Sequence, residues 1–546
     1  MKSIDVKLIS IKNIKKLFDK KIFAVPYLQR EFVWNNRKAT DLLDSIYNNY
    51  PVGNIMIWDS AKQMESEFRH DYISLPLYDS IHNKRIYLII DGQQRLSTIY
   101  HTFIGDVIQN SYSKEVDFSN IYFNTSKNSE TKFRYVKHPD HEWEVKLSEV
   151  LSQTWSSKFK NYPLYKRKEI QKCRQSILEY KIPFTFIQTK NLDEIQTTFI
   201  RINSSGTPLS SSDRAIALAT SIDLRHNINS IINQFDYGFD KINKLSLLMT
   251  IALLWGSNQV GKKGIESVIK QIENDDENLE QFKNMWSKLK NSYGFAIDHI
   301  HKNFHVLNFD FLPSQTMITT LTAFFYYNNN YQPNKHQRDQ IKKWFWYTSI
   351  GSRYSGRGYS KNIIDDFNFF KKLATSNAKL KITEPISLND IKFADFSKKG
   401  SLSNGFFCAL TTLKPKYLSS GGEISVDKYS VRSNQSNKHH IFPKAHLISM
   451  GFNKRYYNSI ANICFLVWQE NIDISAKAPR IYLKEFKKKK YFATVMNSHL
   501  IPYKNGEGLW NPDSKKGYRT FMNNRTKMIC SLIEKLAGIK LFEKTT

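Results

Sequence analysis

The chain has 546 residues, 41% of them hydrophobic and 14% aromatic, which is too long for one compact core, so two or three domains are expected. Lys and Arg total 80 against 50 for Asp and Glu, and the resulting formal charge of +30 favours a polyanionic partner, because each neutralised phosphate releases counterions. No apolar run approaches the roughly 20 residues that cross a bilayer, and Met1 to Lys7 lacks the apolar core and cleavage site of a signal peptide, so a cytoplasmic protein with no membrane partner is expected. Cys173, Cys408, Cys464 and Cys530 lie far apart, without metal or redox spacing, and are read as small buried residues.

From Lys7 to Lys21 the pattern is mixed helical. Phe23 to Trp34 then gathers aromatics and a proline around two polar residues. Its members Pro26, Leu28, Gln29, Arg30, Phe32 and Trp34 read either as core or as an aromatic-walled pocket whose polar tips are Gln29 and Arg30. A helix at about Lys38 to Asn48 follows. Arg85 to Ile90 is an apolar, β-branched run that stops at Asp91-Gly92-Gln93-Gln94-Arg95 and resumes at helical spacing from Leu96 to Phe103, which predicts strand, tight turn and helix. Such a junction aims backbone N–H groups and a helix N-terminus at the space above it, and Arg95 adds a positive fork, so it outlines a phosphate site. Asp91 suits a divalent metal or a ribose hydroxyl, and Gln93 and Gln94 supply neutral amides. A polar turn that satisfies only its own backbone would look the same.

Lys114 to His141 is polar and short-stranded, a surface excursion. Pro183 to Gln188 returns as a strand, and Leu192 to Ile202 carries an apolar helical stripe into the polar loop Arg201 to Ser210, with Ser212 and Asp213 capping the next helix. Arg201 and Asn203 could close on the same anion as Arg95. From Asp223 to Ala374 the pattern is mostly helical, with Arg353 and Arg357 in a Gly- and Tyr-rich loop suited either to backbone contacts or to a solvated linker. Thr375 to Asn404 is polar and marks a boundary. Expected domains are therefore 1–222, 223–399 and 400–546, an α+β multidomain chain.

The second chemical centre is Lys438-His439-His440-Ile441-Phe442-Pro443. Adjacent histidines on a strand point to opposite sides, so one can hold a metal while the other faces a reacting water. Asn462, Asn471 and Lys477 follow in order. A divalent ion (Mg2+ or Mn2+) held by one histidine and an amide or carboxylate oxygen would polarise a phosphodiester, and the second histidine would deprotonate water.

Three segments in order, Pro26 to Trp34, Asp91 to Arg95 and Asn203-Ser204-Ser205-Gly206-Thr207-Pro208-Leu209, resemble the marks of the GmrSD-type domain of modification-dependent restriction enzymes. The Asp91 to Arg95 match is complete. Leu28 and Phe32 stand where that pattern usually carries tyrosines. The C-terminal part resembles the HNH, or ββα-metal, nuclease domain that accompanies it in the GmrSD and SspE group. These resemblances imply a ParB-like α+β N-terminal domain that binds and hydrolyses a nucleoside triphosphate (GTP, ATP or another) with Asp91, Gly92, Gln93, Gln94, Arg95, Arg30, Arg201 and Asn203. They imply an HNH site with His439 and Asn471 on the metal, His440 as general base, Asn462 holding the loop and Lys477 on phosphate.

The expected function is a nucleotide-regulated, metal-dependent endonuclease of anti-phage defence acting on modified double-stranded DNA, with a homodimer left open. A non-cleaving nucleotide-switched DNA-binding protein and an RNA nuclease are the alternatives.

Overall fold

The computed structural model describes every residue except 1–2, 27–28, 30–31, 62–74, 77–78, 80–84, 110–114, 127–128, 130, 141, 190–193, 196–197, 200, 203–210, 220, 329–330, 357, 398–399, 425–437, 467–469, 471–473 and 544–546. The chain forms two compact units, Met1–Arg225 and His226–Thr546.

The first unit opens with strand β1 (Ser3–Ser10), in which Ile4, Val6 and Leu8 alternate with Asp5 and Lys7. Helix α1 (Ile11–Asp19) begins where the Ser10 hydroxyl accepts the Asn13 amide at 3.4 Å. The helical reading from Lys7 is thus corrected for Lys7 to Ser10. Those residues obey a period of two, and their hydrogen bonds go to a strand far downstream that no local pattern reveals.

Next come β2 (Phe23–Ala24), α2 (Asn36–Tyr47), β3 (Ile55–Ala61), β4 (Arg85–Asp91) and α3 (Gln93–Ile104). The surface excursion is short-stranded, as its sequence suggests. It holds β5 (Val107–Gln109) paired with β6 (Glu115–Asp117), and a small sheet in which β7 (Ile121–Asn124) lies between β8 (Phe133–Tyr135) and β9 (Glu144–Lys146). The helix Leu164–Glu179 leads into β10 (Lys181–Gln188).

The central sheet has the order β1-β10-β3-β4-β2, with β10 parallel to β3, β2 parallel to β4, and the remaining pairs antiparallel. Strand β4 is buried on both faces, which explains its unbroken apolar run. Ile89 faces a core built with Ile11, Leu43, Ile57 and Phe184, while Ile86, Leu88 and Ile90 face a second core with Trp58, Ile187, Ile195 and Phe199. The helix expected from Arg214, after Ser212 and Asp213 as caps, runs instead over Ser211–Leu218, three residues earlier, so Asp213 sits in its first turn and pairs with Arg225 at 3.1 Å.

In the second unit the helices Asp276–Asn303 and Tyr359–Thr375 pack on Thr316–Tyr327, and Lys335–Ile350 packs with Ser401–Thr411 and Lys515–Ala537. Residues 226–399 and 400–546 therefore share one unit, and the boundary read at 375–404 is a connection within it. Polar composition there reports solvation, while the helices on either side bury one another. Asn404 donates to the Leu312 carbonyl at 3.0 Å, Ser401 to that of Ser349 at 3.1 Å, and Gly405 lies so close to Ser349 that a Cβ would approach it to 3.0 Å. Two short antiparallel strands, β11 (Lys438–His440) and β12 (Ile463–Phe465), pair His439 with Cys464 and His440 with Ile463. All four cysteines are buried thiols, and among the described residues no helix is long and apolar enough to cross a membrane.

Candidate functional site

The strand-turn-helix predicted around Asp91 is present. Gly92 takes φ of 91°, left-handed, as the N-cap of α3, and a Cβ there would come within 2.3 Å of Ile55 Cδ1. Among the described residues no side chain caps this helix end, so its first N–H groups are directed at the space beyond the turn. Arg95 is held rigidly: Nη2 pairs with Asp91 Oδ2 at 2.9 Å and Nη1 donates to the Val52 carbonyl at 2.8 Å. It runs so close past Gly53 that a Cβ there would lie 2.5 Å from Nη1. Two of its five N–H groups are used this way, and the pair remains partly open, with the Asp91 side chain 34% and the Arg95 side chain 16% exposed. The arrangement offers a preset cation, a carboxylate and a helix N-terminus within one turn.

The glutamines serve other purposes. Gln94 Oε1 accepts from the backbone N–H of Val33 at 2.8 Å and of Trp34 at 3.3 Å, and Gln29 Nε2 donates to the carbonyls of Ile89 and Ile90. The two side chains clamp the Pro26 to Trp34 segment against β4 and α3. Gln29, Pro26 and Phe32 are buried, so they hold this segment rather than line an open groove, and Trp34 is half-buried. Leu28 and Arg30 lie outside the described residues, as does Asn203. Arg201 is exposed on a helical turn and, among the described residues, makes no hydrogen bond or ion pair with Asp91 to Arg95. Replacing Gln29 with Leu leaves two buried carbonyls short of a donor and is expected to destabilise the first unit by about 1–3 kcal/mol. Urea unfolding of the variant would show it as a lowered midpoint with unchanged slope.

In the second unit, β11 carries His439 and His440 on opposite sides, both half-buried. The loop after them is tied down by Asn462, whose Oδ1 accepts the Phe442 amide at 2.9 Å and whose Nδ2 donates to the carbonyls of Phe442 and Tyr457. Tyr482 adds a bond from its hydroxyl to the Ile441 carbonyl at 2.8 Å.

His440 Nε2 lies 3.4 Å from Asn458 Oδ1. The orientation of that amide is fixed by its other end, because Asn458 Nδ2 donates to Asp395 and to the Phe396 carbonyl. Its oxygen can only accept, so His440 Nε2 carries the proton and Nδ1 keeps the lone pair. Burial pushes the His440 pKa below the usual histidine value, opposed by the Asn458 bond and assisted by the Lys444 charge. A neutral imidazole with a defined tautomer is what a general base requires. Lys454 completes the chain, pairing with Asp395 at 2.8 Å and holding that carboxyl below its ordinary range.

The first unit has a counterpart among known families. Residues 14–219 match the GmrSD restriction endonuclease N-terminal domain. The match includes Asp91 to Arg95 and the Gln29 and Gln94 clamps, and ends with the helix that carries Asp213. Over a longer span the chain is 25% identical to an uncharacterized protein of Methanocaldococcus jannaschii, across 518 residues that cover 86% of this chain and 85% of the relative. The likeness to the relative thus runs beyond the GmrSD-like unit into the half that bears His439 and His440.

Two expected positions remain. Lys477 is exposed just before the short helix Pro479–Tyr482, and Asn471 lies outside the described residues. Among the described residues no group of three or more His, Cys, Asp or Glu could hold a metal ion. Arg353, read as part of either a backbone-contacting loop or a solvated linker, is instead paired with the buried carboxylate of Asp366 at 2.9 Å, which also accepts from Tyr354 at 2.7 Å and Trp344 at 2.9 Å. A loop rich in Gly and Tyr suggests mobility, but a buried acid elsewhere recruits its arginine. Arg357 lies outside the described residues.

Sequence reasoning missed Gly53, Asn458, Asp395 and Arg525. The last is fully buried and donates to four carbonyls, those of Ala461 at 2.8 Å, Ile463 at 2.6 Å, His499 at 3.1 Å and Leu500 at 3.1 Å. A lone arginine among the apolar positions of Lys515–Ala537 was its one signal.

Proposed function

We propose that this chain is a nucleotide-regulated, metal-dependent DNA endonuclease of the restriction type. The observation that carries the reading is the state of His440: half-buried, neutral, its proton fixed on Nε2 by Asn458, on a strand whose following loop is locked by Asn462. Similarity of residues 14–219 to a restriction endonuclease domain and a net charge of +30 both favour DNA as the polyanion cleaved.

In this reading His440 Nδ1 takes the proton of the attacking water, and Lys477 neutralises phosphate. His439 and Asn471 are donors of the kind a divalent ion accepts while keeping positions open for water and substrate. Such an ion, when bound, polarises the phosphodiester and stabilises the leaving oxygen. His439 and His440 diverge from one strand, so the two roles do not compete for one ring.

The Asp91 to Arg95 turn is the proposed triphosphate site, with the α3 N-terminus and Arg95 facing the phosphates. Nucleotide there regulates cleavage through the segment clamped by Gln29 and Gln94, which moves only if the two occupancy states differ in their contacts. Arg95→Ala is expected to weaken nucleotide binding at least about tenfold, the loss of one charge-assisted contact of roughly 1.5–3 kcal/mol. It should also change the ratio of cleavage between modified and unmodified DNA. Calorimetry alongside cleavage assays checks both, and normal nucleotide affinity in the variant sinks the assignment.

The reading as a whole is tested by incubating the purified protein with modified and unmodified plasmid or with RNA, with Mg2+ or Mn2+ and each nucleotide. Metal-dependent nicking of DNA supports it. Binding without cleavage would make the protein a nucleotide-switched DNA-binding module, and cleavage of RNA alone would make it a ribonuclease.

A further inference from the structure

Strand β1 ends the central sheet and leaves an apolar row in water. Ile4, Val6 and Leu8 are 61%, 62% and 66% exposed. Single exposed apolar side chains are ordinary, but three in a row on an edge strand form a template for another strand. Natural edges are usually blunted by charge, Lys above all. Here the blunting residue, Lys7, comes with a carboxylate two positions before it on the same face: Lys7 Nζ lies 3.0 Å from Asp5 Oδ2, and both side chains are more than half exposed.

The direction of the free backbone groups follows from the ladder on the other side of β1. Ser3 lies opposite Gln188 and Ser10 opposite Lys181, and one step further the Ile11 amide donates to the Tyr180 carbonyl at 2.9 Å. In an antiparallel ladder, pairs that exchange hydrogen bonds alternate with pairs that do not. Counting back from Ile11, the odd-numbered residues of β1 direct their N–H and C=O groups at β10, and those of Ile4, Val6 and Leu8 point away from the sheet. Among the described residues no strand pairs with that edge and no backbone hydrogen bond reaches it.

Two requirements therefore govern a strand that binds there. Its own outward groups must meet Ile4, Val6 and Leu8, and its charges must complement Asp5 and Lys7. The β1 sequence meets both when it runs antiparallel to a second copy of itself with Val6 opposite Val6. Ile4 then falls opposite Leu8 and Asp5 opposite Lys7, on both sides of the twofold axis. The Val6–Val6 and Ile4–Leu8 pairs are the hydrogen-bonded ones, exchanging two bonds each and about six in all. The Asp5–Lys7 pairs take the positions between, where Cα atoms come within about 4.5 Å and side chains are closest. Registers two residues to either side set Asp5 against Asp5 or Lys7 against Lys7, which is destabilising. A one-residue slip opposes outward backbone groups to inward ones, and the ladder cannot form.

We propose that two copies of this chain associate through β1 in that register, joining their five-stranded sheets edge to edge. The contact is isologous, so it closes on itself. The opposite edge of the sheet, β2, is only Phe23–Ala24, 2% and 6% exposed, and offers no site for further growth. Nothing in this contact draws on the nuclease or nucleotide site. A single strand pair buries less than the roughly 1,200–2,000 Å² of a standard interface, so the dimer is weak and concentration-dependent, with a dissociation constant on the order of 10 µM.

Sedimentation velocity of the full chain, loaded from about 1 µM to about 200 µM, should show monomer passing to dimer. A single species of monomer mass throughout overturns the proposal. Val6→Pro removes the central outward N–H and leaves the bonds to β10 in place, because an edge strand accepts proline where its nitrogen faces solvent. It should abolish the dimer while keeping the circular dichroism of the wild type. Asp5→Lys and Lys7→Asp, at exposed positions that the fold tolerates, each turn both cross-strand pairs into like charges and should weaken association at least about tenfold. The double variant Asp5→Lys/Lys7→Asp restores both pairs with reversed sign and should recover the wild-type dissociation constant, and the two single variants mixed should form a heterodimer. A dimer that survives Val6→Pro lies elsewhere and overturns the edge contact. Charge variants that keep wild-type association, or that lose it without recovery in the double variant, overturn the register.

Discussion

His440→Ala is expected to reduce strand cleavage by about 10²–10⁴-fold, the usual contribution of a positioned base, while DNA affinity stays near wild type because binding is spread over many phosphate contacts. Supercoiled-plasmid nicking read beside a gel-shift titration separates the two. Wild-type nicking by the variant would remove His440 from the chemistry. The acid limb of the rate profile should also lie below the ordinary histidine range. Burial lowers the His440 pKa, so the neutral, reactive form persists as pH falls through about 6.5 and is lost only when the depressed value is passed. Asn458→Asp would put a negative charge beside Nε2, raise that pKa, and move the limb toward neutrality.

Arg525→Leu is expected to be the most damaging single change for stability in the second unit. Its guanidinium is fully buried, and burial pulls its pKa down to about 10, so it remains charged at neutral pH. It donates to the carbonyls on both sides of Asn462, and to two more at His499 and Leu500. Leucine relieves the buried charge but orphans four acceptors, and hydrogen bonds from charged donors contribute roughly 1.5–3 kcal/mol each, so a net loss of at least about 3 kcal/mol is expected. Lysine should not rescue it, because one ammonium cannot reproduce a planar fork aimed at four oxygens. Thermal unfolding of both variants is the measurement. A variant as stable as wild type would mean that those carbonyls find other donors.

These two residues illustrate how unevenly the chain discloses itself. The β4-turn-α3 junction was legible because three local signals agree: a β-branched run, a glycine, and helical spacing. The pairing of His439 with His440 was equally plain as a motif. What those side chains touch was not, since Asn458 reaches His440, and Asp395 holds Asn458, from sequence positions that carry no pattern of their own. Gln29 and Gln94 read as polar tips and neutral amides, and both turn out to bind backbone across the β4-α3 junction. An amide side chain advertises hydrogen-bonding capacity but not its direction. The merging of 226–399 with 400–546 was hidden for a related reason: burial between two helices depends on faces meeting, and composition along a connection does not record it.

The outermost strand of the first unit sets the timetable by which this protein is made. Ser3 is paired with Gln188, 185 positions further along, and everything up to Gln188 must leave the ribosome before that register can close. At synthesis rates of about 5–20 residues per second, the N-terminal segment waits on the order of 10–40 s with its ladder unformed and Ile4, Val6 and Leu8 available to any other strand. Even in the finished chain these three side chains stay more than 60% exposed. Non-local pairing of this kind folds slowly, so weaker induction, which keeps fewer unpaired chains present at once, should improve the yield of folded protein more than slower translation does.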